Sequence, residues 1–108
     1  MELSVRVASD SDVDVLARLR RDWSEESSGG PIDDSTFEAA FAEWFEAERD
    51  TRTFFLAELD DIAVGMANVK RYRRMPRPGE PTGSWGYVGN VFISSQHRNV
   101  GLGAIPLS

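Results

Sequence analysis

Trp85-Gly86-Tyr87-Val88-Gly89-Asn90-Val91-Phe92-Ile93-Ser94-Ser95-Gln96-His97-Arg98-Asn99-Val100-Gly101-Leu102-Gly103-Ala104 is the stretch whose reading decides the fold. Its first half alternates like a strand. Trp85, Tyr87, Val91 and Ile93 share one face, Val88 and Phe92 lie on the other, and Asn90 sits between them. Apolar side chains on both faces predict a central strand covered on both sides. Gly89 beside Asn90 predicts a bulge, where the ladder breaks and re-aims. The second half places a basic residue, two spacers, Gly, one spacer and Gly between that strand and a helix start. Unpaired N–H groups of a first helical turn attract phosphate. Glycines at 101 and 103 remove the Cβ atoms that would hold a phosphate away, and Arg98 adds a positive charge. Residues Arg98, Asn99, Val100, Gly101, Leu102, Gly103 and Ala104 therefore read as a pyrophosphate cradle. No Gly-Lys-Ser/Thr follows, so this is not the common P-loop. Three glycines at dinucleotide-fingerprint spacing are also absent.

Upstream, the chain supplies a hairpin. Thr53 to Leu59 has period two, Asp60-Asp61 is a two-residue turn candidate, and Ile62 to about Val69 returns. Residues 73–84 hold Pro76, Pro78, Gly79, Pro81 and Gly83 and predict irregular chain. The basic crowd at 70–77 reads as a solvated loop. Before the hairpin come two helices. Ser35-Thr36-Phe37-Glu38 predicts a capping box, and Phe37, Ala40, Phe41, Trp44, Phe45 and Glu48 follow at helical spacing, giving a helix over about 36–50. Val13, Leu16, Leu19 and Trp23 predict another over about 12–26, with Ser9, Asp10 and Ser11 as cap candidates. Residues 3–8 open the chain as a short strand.

Composition bounds what such a fold can do. The 108 residues carry 18 Asp+Glu against 12 Lys+Arg, a formal charge of −6, with 41% apolar and 10% aromatic residues, as expected of one globular domain. There is no cysteine and one histidine, which excludes disulfides, a thiol nucleophile and cysteine or multi-histidine metal sites. No basic and apolar leader opens the chain, and no apolar run approaches a membrane span, so a cytoplasmic location is expected. The charge is uneven: residues 1–61 balance at −11 and residues 62–108 at +5. The acidic first part argues against nucleic-acid binding, and the basic second part suits a small polyanion.

The order strand, two helices, hairpin, two-sided strand, glycine motif resembles the GNAT superfamily of N-acetyltransferases over nearly the whole chain. Val5-Arg6-Val7-Ala8 leading to Asp12 looks like the family's opening strand and first helix. Phe55-Leu56-Ala57-Glu58 with Ile62-Ala63-Val64-Gly65 looks like its second and third strands. Asn90-Val91-Phe92-Ile93 through Gln96-His97-Arg98 to Gly101-Leu102-Gly103 is similar to its acetyl-CoA motif. The resemblance implies an α+β, three-layer α/β fold with a mainly antiparallel sheet, as a single domain over 1–108. It implies acetyl transfer from acetyl-CoA to a primary amine of a small molecule or peptide by direct attack, which needs neither metal nor thiol. Val91, Phe92 and Ile93 would bind the pantetheine arm through their backbone, an N–H near the bulge would polarise the thioester carbonyl, and residues 98–104 would hold the pyrophosphate.

Family members continue beyond the equivalent of Ser108 with the rest of a helix, a strand, a helix and two further strands, so this chain reads as a truncated form. The missing part usually carries a tyrosine that protonates the leaving thiolate. Tyr72 and Tyr87 do not stand there, and no general acid is assigned. Glu58 and Asn90 are the catalytic candidates for activating the amine, and Glu25 and Glu26 border the loop that often admits the acceptor. An acidic acceptor mouth would favour cationic amines. Without the next strand, 85–93 becomes an apolar edge, which predicts self-association into a homo-oligomer. The competing expectation is a catalytically defective domain that self-associates or binds CoA weakly, or a small interaction domain whose glycine turn only connects elements.

Overall fold

The computed structural model describes residues 3–79 and 83–94. Strand β1 (Leu3–Val7) leads through a 3-10 turn (Asp10–Asp12) into helix α1 (Val13–Ser28), then helix α2 (Phe37–Glu48). Strands β2 (Arg52–Leu59), β3 (Ile62–Arg73) and β4 (Ser84–Ile93) follow. All pairings are antiparallel and the sheet runs in the order β1-β2-β3-β4. This is the α+β arrangement expected from the sequence.

The core lies between the helices and one sheet face. Leu16, Ala17 and Leu19 of α1 and Phe41 and Phe45 of α2 pack on Phe54, Leu56, Met66 and Phe92 of the strands. Leu16, Leu19 and Leu56 are about 1% exposed, so each contributes roughly 2 kcal/mol by leaving water. Trp23 stacks on Phe92 with ring centroids 5.7 Å apart, which ties β4 to α1. Leu59 and Val64 form a second, small buried cluster with Ala57 and Ile93; elsewhere among the described residues the strands expose Val5, Val7, Val88 and Val91.

The hairpin forms at the expected place. Leu59 pairs Ile62, and Asp60 (φ 51°) and Asp61 (φ 68°) are both left-handed, as a two-residue turn between twisted strands requires. Gly65 answers a close approach instead: a Cβ there would come within 3.0 Å of the Phe92 carbonyl oxygen.

Two local expectations are corrected. The capping box at 35–38 does not form. Thr36 donates its N–H and hydroxyl to Asp34 Oδ1 (3.0 and 2.8 Å), and Glu38 takes the fork of Arg21 (2.8 and 3.0 Å). A charged, two-pronged partner outweighs a neutral backbone N–H. The basic crowd is not simply a loop, since β3 runs to Arg73. Lys70 reaches Glu48 Oε1 (3.1 Å), and the Arg71 guanidinium donates to the Asp50 carbonyl (2.7 Å). Pairing to β4 and these anchors to the end of α2 extend the strand through a polar sequence.

Candidate functional site

Strand β4 does not run evenly. Phe92 pairs Met66 and Gly89 pairs Asn68, so Asn90 and Val91 together face Ala67. This is the bulge expected beside Gly89, but Asn90 takes the left-handed backbone (φ 54°). Asparagine tolerates that region better than most residues.

The alternation beyond the bulge decides which way each backbone group turns. Ser94 N–H donates to the Val64 carbonyl at 2.8 Å. In an antiparallel ladder every second residue faces the partner strand. Ser94 and Phe92 therefore turn their main-chain groups toward β3, and Val91 turns its own to the outer edge. That edge has no partner strand among the described residues.

Beside the bulge lies a cavity of about 290 Å³ between α1, α2 and the sheet. Its apolar wall is Leu16, Phe37, Phe41, Trp44, Phe54 and Met66. Phe41, Trp44 and Phe54 form a chain of tilted and edge-on ring contacts, 5.6 and 5.7 Å between centroids, which fixes the wall. The polar members are Arg20, Asn68 and Asn90. Asn68 is buried, and its Oδ1 accepts from Arg52 Nη1 at 2.6 Å. Arg52 is in turn clamped by Glu48, whose Oε1 also receives Lys70 Nζ. Arg52 first, and Lys70 second, hold the Glu48 carboxyl below the ordinary 4.5. The cluster fixes the Asn68 carboxamide at the cavity wall.

The structure separates the other candidates from this place. Glu58 sits on β2, two strands from β4, and its Oε1 accepts from Arg6 Nε at 2.9 Å. The fork of Arg6 also holds Asp12 with two bonds of 2.8 Å. Glu58 thus belongs to a cluster that fastens β1 to the start of α1. Glu25 accepts the Ile32 N–H (3.0 Å), and its carbonyl receives Gly29 and Gly30, so it shapes the α1–α2 connection. Trp85 stacks on Tyr72 across the strands, 4.7 Å between centroids, rather than entering the core. Residues Arg98, Asn99, Val100, Gly101, Leu102, Gly103 and Ala104, with His97, lie outside the described residues.

Sequence reasoning did not single out Arg20, Asn68 or the aromatic cavity. A signal was present for Asn68, a lone amide inside the apolar run Ala63-Val64-Gly65-Met66-Ala67-Asn68-Val69. Nothing in the spacing marks Arg20 out from its neighbour Arg21.

The sequence profile of the acetyltransferase (GNAT) family matches residues 16–106. The fold is similar to that of a predicted acetyltransferase from Clostridium acetobutylicum, solved with acetyl-CoA (TM-score 0.68, 17% identity, 95% of this chain and 67% of that one). It is also similar to a possible acetyltransferase from Clostridium difficile (TM-score 0.70, 14% identity, 96% and 65%). A third similar structure is glucosamine-6-phosphate N-acetyltransferase from Arabidopsis thaliana (TM-score 0.63, 18% identity, 95% and 67%). The chain spans about two-thirds of the length of each. No curated protein sequence matches it.

Proposed function

The chain belongs to the acetyltransferase (GNAT) family, and from that premise we propose that it transfers an acetyl group from acetyl-CoA to a primary amine by direct attack. The observation that carries this reading is the β4 bulge at Asn90 with the outward-turned backbone of Val91 beside it. Acetyl-CoA is the donor and supplies an activated thioester. An extended amide-bearing arm fits the outward N–H and carbonyl groups of Val91 as an added strand would. The turn of chain at Asn90 takes a backbone N–H out of the regular ladder, where it can donate to a developing oxyanion. Phe92 contributes through its buried ring, stacked on Trp23, which keeps β4 in place.

The glycine-rich segment 98–104 completes the reading as the pyrophosphate cradle, supported by Arg98 and by Gly101 and Gly103 in sequence. Residues 1–108 act as one domain in this account. No carboxylate lines the cavity among the described residues, so the amine proton leaves to water rather than to Glu58. The amide C–N bond forms, the thioester C–S bond breaks, and CoA leaves as the thiolate, which takes its proton from water.

The test is thiol release from acetyl-CoA with a panel of primary amines, run beside calorimetry of acetyl-CoA binding to the 108-residue chain. Turnover supports the reading. Binding without turnover selects a cofactor-binding domain defective in catalysis. Absence of both removes the proposal.

A further inference from the structure

The cavity beside the bulge states what kind of amine it suits. We infer that the acceptor is an amine on a compact aromatic or branched apolar body that also carries a carboxylate, as an apolar α-amino acid does, with Arg20 as the specificity-determining residue. The inference rests on the transferase reading for the reaction and on the cavity alone for the recognition.

Three observations carry it. The first is the wall, built mainly from rings and aliphatic side chains, with a volume of about 290 Å³. Ligand pockets generally run from about 300 to 1,000 Å³, so this one suits a single amino-acid-sized body rather than a peptide segment. The second is charge. Arg20 lines the cavity, and among the described residues its guanidinium meets no carboxylate; it donates one bond to Ser24 Oγ (2.8 Å) and lies over Trp23, 4.5 Å from the ring centroid. The acid-paired arginines of the chain, Arg6, Arg21, Arg49 and Arg52, have their guanidinium groups engaged by carboxylates. A part-buried guanidinium with spare donors is a carboxylate receptor. The third is what the wall lacks. No Asp or Glu lines it among the described residues, so a diamine or polyamine would have to desolvate its distal ammonium without an anionic partner. The acidic first part of the chain therefore does not create a cationic-amine site here. Asn68 and Asn90 supply neutral polar atoms near the bulge, where the reacting nitrogen has to lie.

The experiment compares L-phenylalanine, phenethylamine and putrescine in acetyl-CoA turnover, with wild type and Arg20→Gln. The expected result is that phenylalanine surpasses phenethylamine at least tenfold in kcat/KM, putrescine is the poorest, and Arg20→Gln raises KM for phenylalanine while leaving phenethylamine within about twofold. Putrescine as the best acceptor, or an Arg20→Gln effect equal on both aromatic amines, overturns the inference and leaves the transferase reading standing. NMR decides independently of turnover. Phenylalanine should shift the Asn68 and Asn90 side-chain amide and Trp44 indole signals, in wild type but not in Arg20→Gln. With no turnover, that pattern sustains the recognition and sinks the transferase reading. No shift, or an equal shift in Arg20→Gln, overturns the recognition itself.

Discussion

At the scale of residues, the strongest local device is Asp12. The side-chain fork of Arg6 first, and the Ser9 N–H second, hold its carboxyl well below the usual carboxylate range, against the opposing effect of burial. A depressed folded-state pKa means that the unfolded chain binds the proton more readily. The stabilisation is therefore fully present above the ordinary value of 3.8 and fades as pH falls below it. Glu48 behaves in the same sense from 4.5 downward. Chemical denaturation at pH 6 and pH 3 should show lower stability at pH 3, with Asp12→Ala losing about 2 kcal/mol at pH 6 and much less of the acid dependence remaining. Equal acid sensitivity in the variant would contradict this. Asn90 gives a second test. At φ 54°, Asn90→Gly should keep stability within a few tenths of a kcal/mol, whereas Asn90→Val should lose about 1–2 kcal/mol because a β-branched residue is strained there. Equal denaturation midpoints for the two would show that the bulge is not a fixed feature.

At the scale of elements, the hairpin was legible because period two on both sides of Asp60-Asp61 places its turn, while the register shift between Ala57 and Glu58 left no mark in that pattern. The two helices were legible for the same reason, a single apolar stripe each. The capping box was not, because its glutamate is captured by Arg21 from another helix, a partner no local window contains. The reach of β3 to Arg73 was hidden likewise: Lys70 and Arg71 read as loop residues until Glu48 and Asp50 come alongside. Strand β4 was read as central, yet Trp85, Tyr87, Val88 and Val91 are exposed along it. Such an edge, unpaired among the described residues, invites strand pairing, so we expect the chain to self-associate through β4 in competition with acetyl-CoA. Sedimentation velocity should show a concentration-dependent dimer that Val91→Lys shifts to monomer. A single monomeric species at high concentration would refute it. Gly65→Val should also loosen β4, since its side chain meets the Phe92 carbonyl; a cost of about 1–3 kcal/mol is expected in urea titration.

At the scale of the whole molecule, the charge imbalance resolves into structure. Much of the acid in the first part is spent on arginines: Asp10, Asp12, Glu38, Glu46, Glu48 and Glu58 all hold ion pairs. These fasten helices to one another and to the sheet, and the cavity is left with a guanidinium and two amides. The bulge of β4 was legible in the sequence, since Gly89 stands beside Asn90. The cavity next to it was not, because it gathers residues from α1, α2 and three strands that only folding brings together. The account stands or falls on the outward backbone of β4 at Val91. Amide hydrogen exchange at single-residue resolution, with and without acetyl-CoA, tests it most directly. The amide of Val91 should gain protection on addition of acetyl-CoA, while that of Phe92, already turned toward β3, changes little. Acetyl-CoA that leaves Val91 exchanging as before would contradict the central claim.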